Sequence, residues 1–321
     1  MTQLTRQRKT DPVGLLFFWH GRNQLGTLVV LAKDLMELAK IRITAMVVLT
    51  SLVGFVLGVR APVASMSDAL VWSWWQLAAA MIGTALSCMG AAALNQVYER
   101  KTDFKMNRTM DRPVPTGRIS PFSATAIGVS MAITGVVVLA VWTYPIAAAL
   151  SGVTIFSYLL IYTPLKGISS VSTIVGAVPG ALPPVIGYVA AKGSVGVEAM
   201  MVFAIMFVWQ VPHFLAIAWL YREDFARAGF PILPVIDPSG SRTFVQIVLW
   251  CLVLAPLGTM PTIIGFSGRI YCIGALLAGL AFLGFGIALG IGQTRLLARA
   301  LFIVSLIYLP TVLILMLIDG S

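Results

Sequence analysis

The stretch "LAAAMIGTALSCMGAAAL", residues 77–94, runs without a single charge, and it belongs to one of nine long apolar stretches along the chain. A helix rising 1.5 Å per residue needs about 20 apolar residues to cross the hydrocarbon core of a bilayer. Runs of that length, closed by polar, glycine or proline residues, lie at roughly 43–59, 75–98, 122–141, 145–163, 170–190, 198–220, 243–264, 270–291 and 298–318. In lipid every backbone amide must find its partner within the protein, which leaves helices or closed barrels, and uncharged runs this long fit only helices. An all-α membrane protein built as a nine-helix bundle is therefore expected. The composition agrees. Only 11% of the 321 residues are charged and 59% are hydrophobic, whereas a soluble domain carries about 25% charged residues. The residues divide into an N-terminal arm over 1–34 and one transmembrane domain over 35–321.

Charge distribution sets an orientation. Of the 22 lysines and arginines, 19 fall on the side that holds the N-terminus; only Arg60, Lys192 and Arg269 fall on the other. The positive-inside rule makes the crowded side cytoplasmic, with the C-terminus outside. The net charge of +10 is thus a signal of topology and of attraction to anionic lipid, and it is not evidence for a nucleic-acid partner. The arm begins "MTQLTRQRKTDPVGLLFFWHGRNQ" and lacks an A-x-A-like cleavage site. It reads as a retained cytoplasmic arm at the surface of a bacterial inner membrane. A mitochondrial presequence fits less well, since such a leader is normally longer and free of acids. Cys88, Cys251 and Cys272 sit in apolar runs without ligand-spaced partners, as small buried hydrophobes do.

Positive-inside accounts for lysine and arginine but not for the other polar residues of "NQVYERKTDFKMNRTMDRPVPTGR". Asn95, Glu99 and Asp103 stand four apart. Each step of four advances about 40° around a helix, so the three oxygen-bearing side chains share one face if the second span continues that far. Two carboxylates and an amide suit a hard cation such as Mg²⁺, which takes oxygen ligands and keeps several waters. Arg108 and Arg112 follow at the same interval, and arginines beside a metal suit a diphosphate. A solvated helix end with local ion pairs, such as Asp103 with Arg108, explains the same spacing equally well.

A second constellation lies in "VWQVPHFLAIAWLYREDFARAGFPILP". His213 stands inside an apolar span, where an ionisable residue points to function. Tyr221, Arg222, Glu223 and Asp224 cap that span on the cytoplasmic side, and "YTPLKG" brings Tyr162 and Lys166 to the same side. Three polar caps at one membrane face form one candidate site. Met206, Trp209 and Phe214 read as packing, and the small residues of "SSVSTIVGAVPGALPP" as a close helix contact or a lateral opening. A transporter would instead carry polar groups near the midplane and inverted repeats, and an assembly scaffold would not need acids, amide and arginines together.

These motifs resemble those of the UbiA-type intramembrane prenyltransferases. "NQVYERKTDFKMNRTMDRPVPTG" is similar to the first signature of that family, and "YTPLKGISSVSTIVGAVPGALPPVIGY" with the His213 segment is similar to its protoheme IX farnesyltransferase branch, over roughly residues 35–318. The resemblance implies a nine-helix bundle with a cavity open to the cytoplasm. It implies transfer of a farnesyl group from farnesyl diphosphate to the 2-vinyl group of heme B, with Mg²⁺ as cofactor and heme O as product. The enzyme that processes heme O further, heme A synthase, becomes a candidate partner beside the lipid bilayer. The family's aspartate-rich motif falls on Asn95, Glu99 and Asp103, with Glu99 in the middle position. Arg108, Arg112 and Lys166 match groups that grip the diphosphate, and Tyr162 one that faces the allylic cation. His213 stands where quinone-type relatives carry the first Asp of a second motif, Asp224 matches its last, and Tyr221 and Arg222 lie beside it. His213 is expected to contact heme. "LKGISS" is less basic after the lysine than in many relatives, which leaves propionate contacts from that loop open. The rival within the family is an enzyme acting on a quinone precursor or a chlorophyll-like ring.

Overall fold

The computed structural model describes residues 24–61 and 73–320, and every expected span within them is a helix. The arm before residue 24 lies outside the described residues. Helix α1 (Gln24–Leu38) crosses the expected boundary between arm and domain. The spans are α2 (Ile41–Arg60), α3 (Trp74–Asp103), α4 (Pro121–Trp142), the run Pro145–Leu165, the run Ser172–Lys192, α9 (Val197–Leu220), α12 (Ser241–Ile264), α13 (Arg269–Gly292) and α14 (Arg295–Ile318). The run Pro145–Leu165 comprises α5 (Pro145–Phe156), a π-helical segment Ser157–Tyr162 and α6 (Thr163–Leu165). The run Ser172–Lys192 breaks at Leu182 into α7 (Ser172–Ala181) and α8 (Pro183–Lys192). Two short helices, α10 (Arg222–Ala228) and α11 (Leu233–Ile236), follow α9 and contact it.

Local sequence explains the ends. Ser73, Ser120 and Thr294 accept hydrogen bonds from the third residue ahead, and Pro121 follows Ser120 at the first helical position, where its missing N–H costs nothing. Gly193 and Gly265 end α8 and α12 in the left-handed conformation. The break at Leu182 follows from Pro183 and Pro184, which bring no backbone donors. Gln210 of α9 braces this region, donating to the Ala177 carbonyl at 3.3 Å and to that of Met206 at 3.0 Å.

The helices form a ring that closes α14 back onto α2, and α9 forms its inner wall, touching α2, α7, α8, α12 and α14. No apolar-to-water gain drives helices together in lipid, so close backbone approach must do it. Small residues supply that approach. A methyl group on Gly90 of α3 would lie 2.5 Å from the Ala132 nitrogen and 2.6 Å from the Gly128 carbonyl of α4. Cys251 is buried as expected, but Cys88 and Cys272 are only partly so; all three are free thiols.

Candidate active site

The second span does continue: α3 runs through Asp103, so Asn95, Glu99 and Asp103 share one face. They are 2%, 6% and 0% exposed. That removes the reading of a solvated helix end. Each of the three is met by a cation of the chain. Lys166 donates to both Glu99 oxygens, at 3.0 and 3.3 Å. Arg112 donates to Asp103 Oδ2 at 2.8 Å. Lys40 donates to Asn95 Oδ1 at 2.8 Å, while Asn95 Nδ2 donates to Thr163 Oγ1 at 3.3 Å.

The π-helical segment sets up two of these contacts. A π turn carries an extra residue and re-aims the side chains beyond it. After it, Thr163 faces Asn95 and Lys166 faces Glu99. Tyr162 stacks on Tyr158 with ring centroids 5.5 Å apart, and it lies against Gly176, where an added methyl group would come within 2.6 Å of the ring. Burial works against the Lys166 ammonium, but Tyr162 and Glu99 beside it hold its proton affinity above the ordinary value. Its Nζ also lies 4.5 Å from the Phe230 ring centroid, a cation–π contact across the loop that leads to α11.

Arg108 does not pair with Asp103, as a local ion pair would require; the turns of the 104–120 loop bring Arg112 there instead. The Arg108 guanidinium lies 5.1 Å from the Tyr221 centroid and 5.9 Å from that of Phe225. Burial and Arg112 push it below its ordinary range, and Tyr221, Asp103 and Asp224 oppose that shift. It therefore links the two acidic motifs. Asp224 pairs with Arg227 one turn on, and Arg222 packs over Trp219 at 4.5 Å. A cavity of about 430 Å³ opens beside Arg108, Tyr221, Asp224, Arg227 and Arg295. Glu99, Asp103 and Lys166 do not line it; Glu99 closes on Lys166 and Asp103 on Arg112.

His213 stands apart from this cluster. It faces α14, stacked on Trp209 at 4.8 Å and near Phe302 at 5.2 Å. Its Nδ1 lies 2.6 Å from Ser305 Oγ, and that hydroxyl donates to the Phe302 carbonyl at 2.6 Å. Ser305 Oγ is thus within hydrogen-bond reach of both groups; with its proton on the Phe302 carbonyl, it would accept from Nδ1–H and Nε2 would be the bare nitrogen. Trp209 is more than packing, since its Nε1 donates to the Ser305 carbonyl at 2.8 Å.

Two site residues go unmarked by their own chemistry. Thr163 lies inside "YTPLKG" but is only a hydroxyl at the end of an apolar run. Lys40 is a lone lysine between α1 and α2, and it adopts the left-handed conformation, φ 46° and ψ 51°, which lysine does not announce. Burial and Arg112 push its ammonium down to about 8.

The donor set fits a hard cation in part. Asp103 Oδ1 is buried and accepts no hydrogen bond, and the Glu99 and Asn95 oxygens line the same helix face. Among the described residues no three His, Cys, Asp or Glu side chains converge. The chain would hold Mg²⁺ through Asp103, Glu99 and Asn95, with diphosphate oxygens and water completing the shell.

Comparison with known proteins agrees with this architecture. The UbiA prenyltransferase family matches residues 44–317. A protoheme IX farnesyltransferase of Solibacter usitatus is 43% identical over 287 residues, covering 89% of this chain and 98% of that protein. One from Opitutus terrae is 42% identical, covering 89% and 94%. Among solved structures, one from a study of digeranylgeranylglyceryl phosphate synthase aligns with a TM-score of 0.73 at 14% identity, over 90% of this chain and 98% of its own. A UbiA homologue from Archaeoglobus fulgidus bound to GPP and Mg²⁺ aligns with a TM-score of 0.57 at 14% identity, over 88% and 99%. With nine membrane-length helices among the described residues, a buried acid–amide face and relatives matched nearly end to end, the chain is a prenyltransferase and belongs to the UbiA family.

Proposed function

We propose that this prenyltransferase moves a farnesyl group from farnesyl diphosphate to the 2-vinyl group of heme B and so makes heme O. The observation that carries the diphosphate half is the pairing of Lys166 with Glu99 and of Arg112 with Asp103, with Arg108 over the Tyr221 ring of the second motif. The acceptor is supported by relatives named protoheme IX farnesyltransferase and by a histidine in α9 whose Nδ1 is held by Ser305.

The chemistry follows from charge. Breaking the C1–O bond of an allylic diphosphate leaves charge on the departing oxygens and a cation on the farnesyl carbon. Bound Mg²⁺ would supply Lewis-acid neutralisation of that leaving group. Lys166 and Arg112 add charge-assisted hydrogen bonds to it. Tyr162 offers a π face to the allylic cation, and its stacking on Tyr158 keeps the ring from turning away. The terminal carbon of the heme vinyl group then bonds to farnesyl C1. Water adds to the resulting cation and loses a proton, which gives the hydroxyethylfarnesyl chain. His213 contacts heme through Nε2, as an iron ligand or as a guide for the ring edge. Residues 35–321 act as a single membrane domain, with residues 1–34 on the cytoplasmic side of a bacterial inner membrane and heme A synthase as a downstream partner.

The deciding experiment is mass spectrometry of hemes from membranes of a heme-O-deficient host with and without this chain. Heme O appearing only with the chain is the expected result. Prenylated quinone precursor with no heme O would overturn the acceptor.

A further inference from the structure

Three oxygens at four-residue steps along α3 each carry one basic partner, and the three partners come from three different segments. Lys40 comes from the corner between α1 and α2, Lys166 from the end of α6, and Arg112 from the 104–120 loop. Lys40 is the one that no motif marks, yet its position is built. Gln96 of α3 donates to the Glu37 carbonyl at 2.9 Å and to that of Leu38 at 3.3 Å, which clamps the corner onto α3. Thr44 Oγ1 ties back to the Ala39 carbonyl at 3.0 Å. These bonds hold a non-glycine residue in the left-handed region, and strain of that kind persists only where the surroundings fix it. Thr163 takes the Asn95 amide nitrogen, so the amide oxygen is the atom turned to Lys40.

The formal charges decide what such a set can receive. Three ammonium or guanidinium groups against two carboxylates leave one positive charge. A prenyl diphosphate brings about three negative charges and a divalent cation returns two, so the loaded site comes out neutral. A divalent cation alone would add its charge to a site already positive and would free three cations with no anion to meet them. Diphosphate alone would face two carboxylates whose counter-charges are engaged.

We propose that Lys40 is a diphosphate-binding residue that acts by exchange: it holds Asn95 Oδ1 until a metal–diphosphate arrives, then yields that oxygen to the metal and turns its ammonium onto the diphosphate. Lys166 and Arg112 make the same exchange from Glu99 and Asp103. This rests on the diphosphate half of the proposed function and deepens it. Metal and diphosphate then bind together and hardly at all apart, and Lys40 works against metal alone while working for the pair.

The test uses the full chain in lipid nanodiscs, with Mn²⁺ as a spectroscopic probe and inorganic pyrophosphate as the anion. The wild-type chain should bind Mn²⁺ about tenfold more tightly or better with pyrophosphate present. Lys40→Met should weaken pyrophosphate binding in Mg²⁺ by about tenfold or more, and it should tighten binding of Mn²⁺ alone. Lys40→Gly removes the same ammonium while suiting the left-handed backbone, so it should fold and behave alike. Unchanged pyrophosphate affinity in both variants overturns the proposal. So does a parallel loss of metal-alone and pyrophosphate binding, which is the pattern of a merely structural lysine. A wild-type chain with synergistic binding that makes no heme O upholds the exchange and overturns only the acceptor.

Discussion

Replacing Lys166 by Met tests whether the Glu99–Lys166 pair is as enclosed as the structure has it. The side chains are 14% and 6% exposed for Lys166 and Glu99, with Nζ 3.0 Å from the nearer oxygen. At that separation the gross attraction is about 5–6 kcal/mol for an effective dielectric of ~20. Methionine keeps the apolar contact with Phe230 but strands the carboxylate, which for buried pairs costs about 3–5 kcal/mol. Uptake of a proton by an ordinary glutamate costs about 3.7 kcal/mol at pH 7 and bounds the loss from above. The expected destabilisation of Lys166→Met is therefore about 3–4 kcal/mol. Glu99→Gln strands an ammonium that keeps the Phe230 ring, and its loss should be smaller, about 2 kcal/mol. The double variant removes both charges and should lie within about 1 kcal/mol of the wild type. Unfolding of the purified chain by SDS in mixed micelles, followed by far-UV circular dichroism, measures all four corners of the cycle. Each variant should also lose turnover, so stability is the informative readout. A coupling energy near zero, or a double variant as unstable as the sum of the singles, would refute an enclosed pair.

Other parts of the molecule carry two more expected outcomes. Ser305→Ala removes the acceptor that fixes His213 Nδ1–H; it should lower heme binding several-fold, by about 1 kcal/mol, with magnesium pyrophosphate binding unchanged, and Ser305→Thr should restore the heme. Loss of pyrophosphate binding in Ser305→Ala would reassign His213 to the diphosphate site. Cysteine introduced at Ser194 should react with a membrane-impermeant thiol reagent from the periplasmic side, and cysteine at Thr116 from the cytoplasmic side alone; the reverse pattern would invert the charge-based topology.

The nine spans are legible in the sequence because lipid permits few solutions, and their expected ends fall within a few residues of the helix ends. The acid–amide face is legible for the same reason: a four-residue spacing has one meaning once a helix is granted, and α3 carries it through Asp103. The pairing across segments is not. Whether Arg108 or Arg112 reaches Asp103 depends on the turns between 104 and 120, which no periodicity governs. Lys40 is hidden because its signal is a backbone conformation, and Thr163 because a π turn leaves no mark in composition. His213 stands out as an unusual intramembrane residue, but its partner Ser305 lies 92 positions away on a helix whose sequence reads as plain lipid-facing apolar residues.

The π-helical turn at Ser157–Tyr162 makes the length of that segment matter more than its letters. The turn uses six residues where an α-helix would use five, because an i→i+5 turn advances about 80° per residue against about 100° in an α-helix. Removing one residue there would restore ordinary pitch and leave Thr163 and Lys166 facing Asn95 and Glu99. Winding all six residues as α-helix would instead swing everything beyond them by about 100°, and both contacts from this segment to α3 would lose their geometry. A single-residue deletion at these positions should therefore keep both contacts. A single-residue insertion, with no second such turn to absorb it, should yield protein that inserts and accumulates normally while its active end is out of phase.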